Sequence, residues 1–139
     1  MLRQASTLIR VRAPRQGLHL FTEKVSGWIA EQGLTTGFLT IFCRHTSASL
    51  LIQENAAPAA RRDLEAYFAR IAPESHDYEH DDEGPDDMPA HLRTALTPTS
   101  LSIPVAGGRM VLGTWQGIYL FEHRRDPPER EIALHLVGE

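Results

Sequence analysis

Lysine is almost missing from this chain: Lys24 stands alone among 14 basic residues, so nearly every positive charge is a guanidinium. Acidic residues number 18 and the formal net charge is −4. With no basic stripe interleaved with aromatics, nucleic acid has neither an electrostatic nor a stacking case. Cysteine is as scarce. Cys43 is single, which excludes an intramolecular disulfide and a thiolate zinc cage within one chain. Lying in the apolar run 38–43, it reads as a buried, inert thiol. No apolar run approaches the roughly 20 residues of a membrane-spanning helix, and no signal-type segment is evident. A cytoplasmic protein with no membrane partner is expected.

What remains is an ordinary globular composition. The 139 residues are 42% hydrophobic and 23% charged, enough for one domain over 1–139 with a real core. A first strand is predicted over 6–11. A helix follows over 23–32, with Thr22 as its N-cap and Gly33 closing it. β-branched and aromatic residues mark strands at 37–44 and 49–53. The clearest helix is 59–71, with Leu64, Phe68 and Ile71 on one stripe. The acidic stretch 73–89, with three prolines and a glycine, reads as a long loop, functional or disordered. A short helix over 88–96 carries Pro89 early, where its missing N–H costs little, and sets His91 and Ala95 on one face. Strands at 102–105 and 110–112 flank a hairpin signal at 106–109, and further strands are predicted at 114–123 and 131–137. In 114–123, Ile118 and Leu120 alternate with Tyr119 and Phe121, so both faces are apolar and need cover. The fold class is α+β: two packed sheets with two or three helices.

Three histidines, His45, His80 and His91, fall in polar clusters where the chain should turn. Such histidines are placed to bind a metal, a phosphate or a transferring proton. In His45-Thr46-Ser47-Ala48-Ser49 the hydroxyls can serve an anion or cap their own turn. Between His80 and His91 lie four aspartates and one glutamate, which can form an oxygen-and-imidazole cage for a divalent ion or a solvated acidic loop. Trp115 can stack on a heterocycle or fill a core or interface. Gln116 needs a partner if buried. Glu122-His123-Arg124 ends the long strand, with Glu122 as base or metal ligand and His123 on the opposite face. His19, His76 and His135 read as surface or packing histidines.

Taken together these segments resemble the YjbQ family, known as secondary thiamine-phosphate synthases. The match is carried by His45-Thr46-Ser47-Ala48-Ser49, Glu54-Asn55, Asp63, Tyr78 and His80. It continues through Glu83-Gly84-Pro85-Asp86-Asp87-Met88-Pro89-Ala90-His91, Ser100, Pro104, Leu112-Gly113-Thr114-Trp115-Gln116-Gly117 and Glu122-His123-Arg124. One departure lies where the family has a proline followed by paired basic residues: here Glu129 stands between Pro128 and Arg130.

The resemblance implies a β-sandwich with flanking helices that forms a homotrimer, with a pocket near the subunit boundary. It implies a transferase that joins an aminopyrimidine-methyl diphosphate to a thiazole phosphate and releases diphosphate. In that reading a divalent metal ion, magnesium or zinc, is held by His45, His80 and His91 and neutralises the leaving group. His45, His91 and Glu122 are the catalytic candidates. Thr46, Ser47, Ser49, Trp115 and Arg124 contact the phosphorylated substrate, Arg124 as a phosphate fork. The other readings are a non-catalytic trimer that binds a metal or anion through the same His/Glu pocket, and an interaction scaffold.

Overall fold

The first strand, β1 (Arg3–Val11), alternates in burial and is followed by β2 (Gly17–Leu20). The computed structural model describes residues 1–139. It continues with α1 (Thr22–Gln32), β3 (Gly37–Cys43), β4 (Ala48–Glu54), α2 (Pro58–Ile71), α3 (Asp87–Leu96), β5 (Ser100–Ala106), β6 (Arg109–Met110), β7 (Gln116–Glu122) and β8 (Arg130–Gly138). Five strands form one sheet in the order β1-β8-β3-β5-β6, and three form another in the order β2-β7-β4. Every pairing is antiparallel. The expected α+β sandwich of two sheets with three helices is therefore present.

Period-two alternation places the core between the sheets. Leu39 and Ile41 of β3, Ile103 and Val105 of β5, and Ile132, Leu134 and Leu136 of β8 meet Leu50 of β4 and Ile118 and Leu120 of β7. Val25 and Ile29 of α1 complete this cluster. The other face of β7 buries Tyr119 and Phe121 with Leu18, against Leu51, Leu64 and Phe68. So the two-sided apolar strand is covered inside one chain, by the five-stranded sheet on one side and α2 on the other.

Several local expectations are corrected. Thr22 lies inside α1, whose N-cap is Phe21 without a side-chain bond. The Thr22 hydroxyl instead accepts the Ile118 N–H at 2.8 Å, tying α1 to β7. Ile71 leaves its predicted stripe and is exposed at the end of α2. Strand β7 begins two residues later than predicted, because Gln116 folds back to accept the Gly113 N–H at 2.7 Å. The hairpin is as expected: Gly107 and Gly108 both have positive φ, 59° and 76°, the requirement of a type I′ turn. Cys43 is buried, and burial pushes its thiol pKa up to about 11. No helix is long and apolar enough to cross a membrane.

Candidate metal centre

The acidic segment before α3 is held by its own short contacts. Tyr78 Oη donates to Pro73 O at 2.8 Å and His76 Nδ1 meets Asp81 Oδ1 at 2.9 Å. The segment delivers His80 to the first turn of α3, where helical spacing puts Asp87 and His91 on one face at i and i+4. One ligand atom from each of His80, Asp87 and His91 lies within 4.8 Å of the others. His80 Nε2 is 2.7 Å from Asp87 Oδ2, and His91 Nε2 is 3.4 Å from the same oxygen.

Each of these three side chains has a further neighbour. His91 Nδ1 meets Thr46 O at 3.0 Å; donating there fixes the tautomer and leaves the Nε2 lone pair facing the cluster. His80 Nδ1 is 3.5 Å from Asp82 Oδ1. Asp87 is buried, and Arg124 donates to its Oδ1 through Nη1 at 2.6 Å. Burial alone would raise the Asp87 pKa, but the His80 bond and the charges of Arg124 and His91 outweigh it and hold the carboxyl below its ordinary value. The Asp87 hydrogen bond raises the His80 pKa. Two imidazoles and one carboxylate are a donor set for zinc or a neighbouring divalent transition metal with coordination positions left open.

Of the residues singled out from sequence, His80 and His91 converge, while His45 stands outside the cluster. Its Nε2 accepts the Glu131 N–H at 2.7 Å, and burial, then the Arg130 charge, lower its pKa. His45 and Thr46 do share a hollow of about 520 Å³ with His91, beside Thr94, Thr97 and Thr99. Arg124 is engaged on all three nitrogens, by Asp86 Oδ2 at 2.9 Å, Asp87 and Glu83 O at 3.0 Å. It positions the carboxylates and has no free fork for phosphate.

Glu122 is fully buried and clamped by Arg130, whose Nε reaches Oε1 at 2.7 Å and whose Nη2 reaches Oε2 at 2.5 Å. The same Nη2 donates to Ser47 O at 3.0 Å, and the His123 N–H donates to that oxygen at 3.3 Å. Glu122 therefore braces the turn that carries His45 and Thr46 from behind. Ser49 is buried against His123 Nε2 at 3.0 Å and Thr97 Oγ1 at 2.6 Å. Trp115 is 62% exposed and precedes β7 at the end opposite Glu122, roughly 23 Å away along a seven-residue strand.

Two residues that shape this region, Asp87 and Arg130, are not singled out by the sequence. Asp87 was seen only as one of several loop carboxylates, although its i, i+4 relation to His91 was the available signal. Nothing in the sequence marked Arg130 as the partner of Glu122, because that pairing depends on β7 and β8 lying in different sheets.

The profile of the UPF0047 protein YjbQ-like family matches residues 7–139. The chain is 48% identical over 138 residues to the UPF0047 protein sll1880 of Synechocystis, covering 99% of this chain and 94% of that protein. It is 42% identical over 132 residues to the UPF0047 protein YjbQ of Escherichia coli O157:H7, covering 94% and 96%. Among solved structures, a protein of Sulfolobus solfataricus described as of unknown function superposes with a TM-score of 0.91 at 26% identity, covering 100% of both chains. APE1520 of Aeropyrum pernix superposes with a TM-score of 0.87 at 30% identity, covering 97% and 99%. The names of these relatives give a family number or the words unknown function, and none names a thiamine-phosphate synthase. The synthase expectation is withdrawn on that finding.

Proposed function

The chain belongs to the UPF0047 YjbQ-like family, and we propose from the chemistry of its side chains that it is a metal-binding protein centred on His80, Asp87 and His91. The observation that carries this reading is the convergence of one atom from each within 4.8 Å. The expected set of His45, His80 and His91 is revised, with Asp87 in place of His45. When bound, a divalent ion with open positions supplies Lewis-acid chemistry to an oxygen-bearing ligand. The protein's own part is to fix the His91 tautomer through Thr46 O, to neutralise one Asp87 oxygen through Arg124, and to offer ligand space beside His91. That hollow, lined by two histidines and four threonines with no carboxylate, suits an oxygen-rich small molecule.

Titration of the purified protein with zinc against a chromophoric chelator tests this reading. One equivalent per chain is expected, with affinity falling at least about 100-fold in His91→Ala, since one of three ligands is removed. Equal affinity in wild type and variant would refute it.

The resemblance to a trimeric family has separate support in the outer face of the five-stranded sheet. There Leu8, Phe38 and Phe42 stand 49%, 46% and 45% exposed. Phe38 pairs with Val137 and Pro104, and Phe42 and Leu8 both pair with Ala133, so the face carries two apolar groups with the polar row Ser6, His135, Thr40 and Ser102 between them. Exposed apolar groups of this kind favour association, and we propose a homo-oligomer, the trimer that the resemblance implies.

A further inference from the structure

Of the buried charged side chains Asp86, Asp87, Arg93, Glu122 and Arg130, only Arg93 has no ion-pair partner. It is 6% exposed, on α3, and donates through Nε and Nη2 to a single oxygen, Ala72 O, at 3.2 and 2.8 Å. Three of its five N–H groups are left over. No carboxylate lies within ion-pair distance; Glu74, Tyr78 and Asp86 act on it only through space, and burial lowers its pKa. Ala72 caps the C-terminus of α2, where the helix dipole supplies only about half a charge. A buried guanidinium without a full counter-charge is unfavourable.

Arg93 lines a hollow of about 300 Å³ beneath α2, with Arg15, Ala69, Phe121 and three carboxylates, Glu65, Glu74 and Glu122, the last of them clamped by Arg130. The carboxylates in that wall are already engaged. Glu65 accepts the Leu18 N–H at 2.9 Å and lies 3.5 Å from Arg15, while Glu74 is held by Gln16 at 3.2 Å and by Arg125. Arg93 alone among the charged groups of that wall lacks a counter-ion. We infer that this hollow is an anion subsite in which Arg93 receives the carboxylate or phosphoryl group of a small molecule, its apolar part lying on Ala69 and Phe121. The subsite is independent of the metal centre, because Arg93 follows His91 by two residues and points roughly 200° around the helix from it.

Isothermal titration with inorganic phosphate and, separately, acetate, at ionic strength fixed with chloride, tests the subsite. Saturable binding of at least one probe to wild type is expected. Ala69→Glu, at an exposed helical position, brings a carboxylate into the hollow as a built-in counter-ion and should weaken binding at least tenfold, as should Arg93→Gln. Should Arg93→Gln fail to fold, Ala69→Glu decides. In His91→Ala the probe should bind as in wild type. Absence of saturable binding by either probe, binding that survives Ala69→Glu, or binding lost in His91→Ala overturns the assignment.

Discussion

At Asp87 the carboxylate is divided between two duties: Oδ1 takes Arg124 Nη1 at 2.6 Å, and Oδ2 faces both imidazoles. In the proposed metal site Arg124 would therefore act through Asp87, whose other oxygen it leaves free. Arg124→Ala should weaken zinc binding by about 10- to 100-fold in chelator competition; unchanged affinity would separate Arg124 from the site. His123 sets a different limit. It is fully buried, its Nδ1 has no partner, and burial, then the charges of Arg93 and Arg130, lower its pKa from 6.5 to about 3. The native state therefore holds the neutral imidazole while the unfolded chain protonates near pH 6.5. The stability it contributes is complete above pH 6.5 and is lost toward pH 3, at on the order of 1 kcal/mol per pH unit. Urea unfolding at pH 7 and pH 5 should show this slope in wild type and a shallower one in His123→Gln; parallel slopes would contradict the burial argument.

Between elements, the buried Glu122–Arg130 pair joins the end of β7 to the start of β8 and, through Ser47 O, steadies the β3–β4 turn. Breaking such a pair from one side leaves an uncompensated charge. Glu122→Ala should cost about 3–5 kcal/mol in urea unfolding, and Glu122→Leu with Arg130→Met should recover most of it. A single-variant loss below about 1 kcal/mol would show that water reaches the pair. The element scale also shows how far the sequence could be read. Strands β3, β5 and β8 were legible because alternation marks them, and α2 because Leu64 and Phe68 share a stripe. Strand β2 was not, since four residues, Gly17-Leu18-His19-Leu20, are too short for a period. Thr22 looked like a cap because N-caps are recognised locally, whereas its partner, Ile118 N, is 96 residues away. In the site, His80 and His91 were legible from their polar neighbours. The clamped state of Glu122 and Arg124 was not, because their partners arrive only with the tertiary fold.

For the whole molecule, the covered faces and the bare one carry different consequences. Both sides of β7 are filled from within the chain, so the case for self-association passes to Leu8, Phe38 and Phe42 on the outer sheet face. Phe42→Asp places a charge on that face without touching the core, and light scattering should find monomer where wild type is oligomeric. A monomeric wild type at micromolar concentration would remove the interface. The proposed metal centre is tested most directly by anomalous diffraction from crystals soaked in zinc. The predicted result is one strong peak per chain about 2.0–2.2 Å from His80 Nε2, Asp87 Oδ2 and His91 Nε2. A peak elsewhere, or none above background at these three atoms, would contradict it.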